Sequence, residues 1–595
     1  MPLKWIEADA MRVDVIDNLE QLEKLRANWD AVYDADPESQ FFVSSLFIFK
    51  WLARISYPMA VLGVRPEGDS TDYVAFLPIW IKTKERKSGE IYNVIHMGGN
   101  HFTDYTGFIC RPEWAEQAIP ALGEKMRQMN WTQLHLQDLR ASDHRTALFM
   151  KAFRRKDFEI EEQTRVIQDN ININTCPYVR LPGDWDSYLD GKLSANTRQK
   201  LRRLLRQLET STDLRITQPT PETIDRDIDI LMGFWAKRWG DKKGVRLAGI
   251  IDNNRKMLRH CFEAGALFLP ILWRGDKPGG ALATYIDHKK KTFLFFITGR
   301  DPAFNNPQPG LVLHAHSIRH AIQNGFAEYD FLRGNEDYKY SFGVDERPIK
   351  TIVLTTRDKK NLGGKLDLRC LPLVLRRSTQ HLRTGALDKA EIGYRHVLEA
   401  EPKKIAALYG LARIAAARGK EAEATALHKT LQEVSPDGFE VCFVRGRMLQ
   451  AQGKIAEAAD AYGEGVEREP ADADVYCDLG QILFSIGLYE LAIAAFDVTA
   501  ELEPDFPDIN LTKMKSVKRR DRQSAETRAS LAESHAAMIS RIGKITAIAK
   551  AVARNQPKSE VPLVLEWQQK GPERPFSFSR NAMPTAAVKS TGQKG

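Results

Sequence analysis

The stretch LFLPILWRGDKPGGALATYIDHKKKTFLFFITGRDPAFNNPQPGLVLHAHSIRHAIQNGFAEYDFL, residues 267–332, decides the fold of the first 360 residues of this chain. Leu267–Trp273 reads as a strand, Gly275–Pro278 as a turn, and Gly280–Asp287 and Lys291–Thr298 as two further strands. A Pro/Gly loop then leads into a helix over Leu311–Asn324, closed at Gly325, and a strand follows at Glu328–Leu332. Upstream, Ala60–Val64, Val74–Ile81 and Gln133–Leu136 have strand character. Asn18–Tyr33, Ser194–Glu209, Thr223–Trp239 and Asp252–Ala264 have helical spacing. Such a mixture belongs to an α/β or α+β architecture.

Further along, the pattern changes to a repeat. Gly385, Gly419, Gly453 and Gly487 stand 34 residues apart. Each is followed at five residues by alanine (Ala390, Ala424, Ala458, Ala492) and at seventeen by proline (Pro402, Pro436, Pro470, Pro504). A period of 34 is that of the tetratricopeptide repeat, a pair of helices per unit. The glycine suits the left-handed end of the first helix, the alanine a close helix–helix contact, and the proline the end of the second helix. A small residue precedes each glycine by seven (Ser378, Ala412, Gly446, Gly480), and Tyr394, His428, Tyr462 and Phe496 occupy an aromatic position. Four repeats over 371–506, capping helices over 507–555 and a disordered basic tail over 556–595 are predicted. The array points to contact with a protein partner.

Charge separates these parts. Residues 371–506 hold 15 Lys/Arg against 22 Asp/Glu, and residues 507–595 hold 17 against 7. The remaining +5 over some 370 residues makes no case for nucleic acid. The six cysteines are scattered without metal-ligand spacing, which suits a reducing compartment and no metal. No secretory leader and no membrane-length apolar run is visible, so a cytoplasmic location is expected.

Asn305–Gly343, NNPQPGLVLHAHSIRHAIQNGFAEYDFLRGNEDYKYSFG, resembles the GNAT-like acyltransferases of the CelD type from bacterial cellulose synthesis. The likeness lies in the PG that opens the helix, the glycine that closes it, and YDFLRG with the later YK. FFVSSLFIFKWL (Phe41–Leu52) and GGNHFTDYTGF (Gly98–Phe108) are similar to further landmarks of that group. The related Fem-type peptidyltransferases carry two such units in tandem. The resemblance therefore implies a degenerate first unit over 1–175, an acyltransferase unit over 176–360, and a linker over 361–370. The fold class expected is α+β, followed by an all-α solenoid.

The same resemblance implies acyl-CoA, most simply acetyl-CoA, as co-substrate. A helix that begins with glycine lets backbone N–H groups approach a diphosphate, which makes Gly310 and Leu311 the cofactor-binding candidates. The second glycine of the usual GNAT loop is missing here. In YDFLRGNEDYK, Asp330 or Glu336 could take a proton from the acceptor, and Arg333, Tyr338 or Lys339 could stabilise an oxyanion. Lys339 falls on the family's YK. Asp104, in a Gly/Asn/His-rich loop, is a base candidate on the acceptor side. His316 and His320 share a helix face but lack a third ligand, and read as structural. Arg198, Arg202 and Arg206 form a stripe that is either solvated or lines an anion's approach. The function implied is acyl transfer to an amine or hydroxyl, saccharide-linked or small. An aminoacyl-tRNA-dependent ligase on the same fold, or a non-catalytic scaffold, are the alternatives.

Overall fold

The computed structural model describes residues 11–534 apart from 69–71, 101–102, 168–169, 305 and 469–471, with isolated positions between 536 and 546. The tail expected at 556–595 lies outside them. Two compact units are formed: residues 11–82 with 94–360, and residues 83–93 with those from 361 onward.

The first unit holds two mixed eight-stranded sheets with helices. Strands β1 (Met11–Ile16), β2 (Met59–Pro66), β3 (Ala75–Glu85), β4 (Ile91–Met97), β5 (Ile109–Cys110), β6 (Gln133–Leu139) and β7 (Phe158–Glu162) build one sheet. The other contains β8 (Thr175–Arg180), β9 (Leu214–Thr217), β10 (Leu267–Phe268), β11 (Ile271–Arg274), β12 (Lys277–Asp287), β13 (Thr292–Arg300), β14 (Glu328–Asp330) and β15 (Asp345–Pro348). The final strand, β16 (Lys350–Thr356), returns to the first sheet between β6 and β7, where Ile352 and Leu354 are buried. A cut of the chain near 175/176 therefore does not separate the sheets, because residues 350–356 complete the first one.

Each sheet contains a parallel pair, β4 with β6 and β13 with β14, whose connection carries a helix: Ala115–Arg127 in the first half, Pro309–Gln323 in the second. The two halves thus repeat one arrangement. The strand expected at 267–273 is two strands. Pro270 has no N–H to give to a ladder, and pairing resumes only at Ile271. The helix expected over 18–33 is likewise two, Leu19–Lys24 and Arg26–Ala35, parted where Leu25 leaves helical geometry.

A shared core joins the halves. Phe41–Leu52 supplies much of it: Ser44 caps the helix Ser45–Leu52, and Phe41 stacks on Tyr285 of β12 at 5.1 Å. Phe42 and Phe47 meet the same tyrosine edge-on. This aromatic-rich segment is the seam between the sheets.

In the second unit, helix pairs Leu371–Arg383/Leu387–Ala400, Ile405–Ala417/Glu421–Val434, Phe439–Ala451/Ile455–Arg468 and Ala473–Ser485/Tyr489–Leu502 follow the period of 34. Helices Ile509–Asp521 and Ala525–Ser534 come after them. All four repeat glycines have positive φ, between 68° and 86°. The small position has a packing reason: a Cβ on Gly446 or Gly480 would stand 2.6 and 2.5 Å from the rings of Tyr462 and Phe496. Residues 361–370, expected as a linker, are built into this unit. Cys370 and Leu366 are buried, and Asn93 joins Asn361 and Asp367 by hydrogen bonds of 3.0 and 2.9 Å.

Candidate functional site

Strand β13 pairs with β14 only over Thr292–Leu294 against Glu328–Asp330, then runs on to Arg300 beside β12 alone. Past Leu294 the sheet parts into a wedge. The register of β12 with β13 also shifts there, between Ala283 and Thr284, so Phe296 faces no partner residue. Helix Pro309–Gln323 begins close by, its first residue packed so tightly that a Cβ on Gly280 would meet Pro309 at 2.6 Å. Its N-cap Gln308 makes no side-chain cap, and its first turn holds no acidic residue. A Cβ on Gly310 would touch nothing within 4 Å, and Lys200 Nζ stands 3.2 Å from Gln308 Oε1. An uncapped, open helix start beside a cation suits an anion such as a diphosphate. The corresponding helix of the first half does not. Glu113 and Glu116 stand at its entry, and both would repel one.

On the face of the sheet toward the first half, the candidate residues form two clusters, one around Asp330 and one joining Asp104, Arg333 and Lys339. Asp330 is fully buried, and both its carboxylate oxygens accept from Tyr105 Oη at 2.9 Å. It also accepts from the Leu332 amide (2.7 Å) and from Arg347 Nη1 (3.2 Å). Burial pushes the Asp330 carboxyl above its ordinary range, with Arg347 working in the opposite direction. Arg333 gives Nε to Asp104 Oδ1 (2.7 Å) and Nη1 to Asp138 Oδ2 (2.6 Å), and Arg165 holds the other oxygen of Asp138. Burial pulls against the charge on Arg333, but Asp138 and Asp104 outweigh it and raise its affinity for the proton.

Lys339 is enclosed by its own loop. It is 2% exposed, and its ammonium donates to the carbonyls of Arg333 (2.8 Å) and Gly334 (2.9 Å) and pairs with Glu336 at 2.9 Å. These bonds fix the backbone that carries Arg333. Asp104 keeps 16% of its side chain exposed. The Tyr338 ring lies 5.9 Å from that of His314 and packs against the second-half core. Gly310 and Leu311 lie at the helix start, where Leu311 packs against the second-half core.

Tyr105, Asp138, Arg165, Arg347 and Lys200 complete this picture and are not apparent as site residues in the sequence. Tyr105 leaves a trace beside Asp104 in GGNHFTDYTGF, and Asp138 as an acid inside the strand run LHLQDL, where its φ of 57° shows why an aspartate is tolerated. The arginine stripe is largely paired: Arg198 and Arg202 reach Asp190 at 2.9 and 3.4 Å.

His314 is a core residue, and His316 and His320 are partly buried. His314 Nδ1 shares a hydrogen bond of 3.0 Å with Tyr329 Oη, and burial pushes its pKa down to about 3. Burial does the same to His316, down to about 4, while His320 stacks on Phe268 at 4.4 Å. The described residues contain no group of three side chains placed to hold a metal. His314 and His316 stay neutral in the folded protein but bind protons near pH 6.5 when unfolded. Stability should therefore fall as pH drops from about 6.5, by up to about 1.4 kcal/mol per pH unit for each. Denaturant unfolding between pH 7 and pH 5 measures this, and His316→Gln is expected to remove its share of the slope.

Residues 195–340 match the family model described as an acetyltransferase (GNAT) domain, and residues 443–505 match a tetratricopeptide repeat model. The chain carries a GNAT-type acetyltransferase domain and tetratricopeptide repeats. The matched GNAT segment includes Lys200, the helix start, Asp330, Arg333 and Lys339, whereas Asp104 and Asp138 reach Arg333 from the first half.

Among solved structures, FemX aligns at 10% identity with a TM-score of 0.40, over 55% of this chain and 95% of that one. A conserved protein of unknown function from Bacteroides thetaiotaomicron aligns at 14% and 0.36, over 58% and 100%. A thermophilic repeat protein of Thermus thermophilus aligns at 20% and 0.22, over 31% and 98%. No curated protein matches the chain. No helix among the described residues is long and apolar enough to cross a membrane.

Proposed function

We propose that the GNAT-type domain is an acyl-CoA-dependent N- or O-acyltransferase, with acetyl the simplest donor group. The observation that carries this reading is the open, uncapped and acid-free start of helix Pro309–Gln323 beside the parting of β13 and β14. The first-turn amides at Gly310 and Leu311, with Lys200, would hold the diphosphate, and the thioester would enter the wedge. Acyl-CoA supplies an activated carbonyl; the chain's own residues orient the acceptor and move its proton.

Asp104 takes the acceptor-side role. Arg333 holds its Oδ1 and fixes its direction, and its partly exposed carboxylate accepts the proton of an amine or hydroxyl as that group attacks the carbonyl. Arg333 spends Nε and Nη1 on carboxylates, so Nη2 is the donor assigned to the oxyanion. The C–S bond then breaks, coenzyme A leaves as the thiolate, and the acyl group stays on the acceptor. No covalent enzyme intermediate is needed: burial pushes the Cys176 thiol up, away from nucleophilic form.

Likeness to the CelD type supports a saccharide-linked acceptor, and the repeats support a protein partner that brings the domain to it. The test is release of free thiol from acetyl-CoA in the presence of amine- and hydroxyl-bearing saccharides. Release that depends on acceptor supports the reading. Transfer from aminoacyl-tRNA with no thiol release from acetyl-CoA would replace it.

A further inference from the structure

Repeat solenoids are ordinarily chains of neighbours: each unit touches the one before and the one after. Here the first helices of the four repeats are joined out of sequence. Arg383, in the first repeat, donates Nε and Nη2 to Asp474 of the fourth at 3.0 and 2.6 Å, and Nη1 to Glu503 at 2.8 Å. Arg413 of the second repeat and Arg447 of the third both reach Asp478 Oδ1 of the fourth at 2.7 Å. Arg413 and Arg447 are themselves one period of 34 apart.

The network is enclosed at its centre, with Asp478 1% and Arg413 11% exposed, and opens to solvent at Glu503, 41% exposed. Burial works against the charge on Asp478, but Arg413 and Arg447 overcome it and hold the carboxyl below its usual range. It is also incompletely satisfied. Asp478 Oδ2 and the Nε atoms of Arg413 and Arg447 are buried with no hydrogen-bond partner among the described residues. Buried ion networks of this kind add little to stability compared with apolar packing, and unmet polar atoms count against them. A contact with those properties suits closure better than core.

We propose that this network is a clasp: it seals the inner face of the solenoid, fastens the first repeat to the fourth, and opens before a protein partner can lie along that face. The inference stands apart from the acyltransferase reading, since every residue in it belongs to the repeats.

Amide exchange of the full chain tests it, comparing wild type with Asp474→Asn. The clasp requires exchange in helix Leu371–Arg383 to rise about tenfold or more, although the substitution lies in another repeat about 90 residues away. An array coupled only through neighbours confines the change to the third and fourth repeats, and that result overturns the proposal. Should Asp474→Asn unfold the repeats altogether, the double variant Arg383→Met/Asp474→Leu decides. Removing both charges should restore protection of Leu371–Arg383, and failure to do so also overturns the clasp. Opening has a second signal in Cys477, which is buried beside Asp478. Its reaction with an aromatic disulfide, identified by loss in Cys477→Ser, should be suppressed in wild type and released in Asp474→Asn. Equal reaction in both would contradict closure.

Discussion

Asp104→Asn is expected to lower turnover by roughly 10²–10⁴-fold, the range for loss of a positioned general base. That corresponds to about 3–5 kcal/mol of transition-state stabilisation. Asparagine keeps the length of the side chain and an oxygen for Arg333 Nε, so the seam between the halves should persist. What it loses is the ability to take the acceptor's proton. Donor binding should be unchanged, because Gly310 and Leu311 lie on the separate helix start. Raising the pH, which deprotonates an amine acceptor beforehand, should recover part of the lost rate. A variant with full activity would move the base elsewhere. One with lost donor binding would make Asp104 a structural group only.

The second large effect falls on stability. Lys339→Ala removes the cation that bonds the carbonyls of Arg333 and Gly334 and pairs with Glu336, at a site 2% exposed. Truncating one partner of such a buried group typically costs about 3–5 kcal/mol. The expected result is a lower melting temperature and denaturant midpoint, with turnover of the remaining folded protein within about tenfold of wild type. Lys339→Met combined with Glu336→Gln, which removes both charges, should recover part of the stability. A large drop in turnover without destabilisation would return Lys339 to a direct catalytic role.

The two residues also show what a sequence can and cannot disclose. Lys339 and Asp330 stand in a dense polar stretch, and density alone suggests chemistry. Lys339 is held by two backbone carbonyls within six residues and Asp330 by Arg347 of the nearby strand, but the Tyr105 hydroxyl on Asp330 comes from 225 residues away. Arg333 and Asp104 are 229 residues apart, and only the stacking of two similar halves brings them to 2.7 Å. Nothing local encodes that distance. The repeats are the opposite case. Gly385, Gly419, Gly453 and Gly487 each meet a backbone demand, a positive φ, that few other residues satisfy, so their spacing alone gives the helix pairs. Arg383 and Asp474 escape that reading because their contact skips two repeats. The return of β16 to the first sheet is hidden for the same reason: strand order is a long-range property, while alternation is local.

If the start of helix Pro309–Gln323 holds the diphosphate of an acyl-CoA, as proposed, that ligand stabilises the fold. The most direct measurement is the melting temperature with and without acetyl-CoA, for wild type and Gly310→Glu. At about a hundredfold excess over Kd, binding adds about 2.7 kcal/mol, which is a rise of about 4 °C for a unit as large as residues 11–82 with 94–360. A Cβ at residue 310 meets nothing within 4 Å, and glutamate is favourable in a first helical turn, so the variant should fold as wild type does. Its carboxylate would, however, occupy the place of the phosphates. A rise is expected for wild type and none for Gly310→Glu. No rise in either, or an equal rise in both, would contradict that placement of the diphosphate.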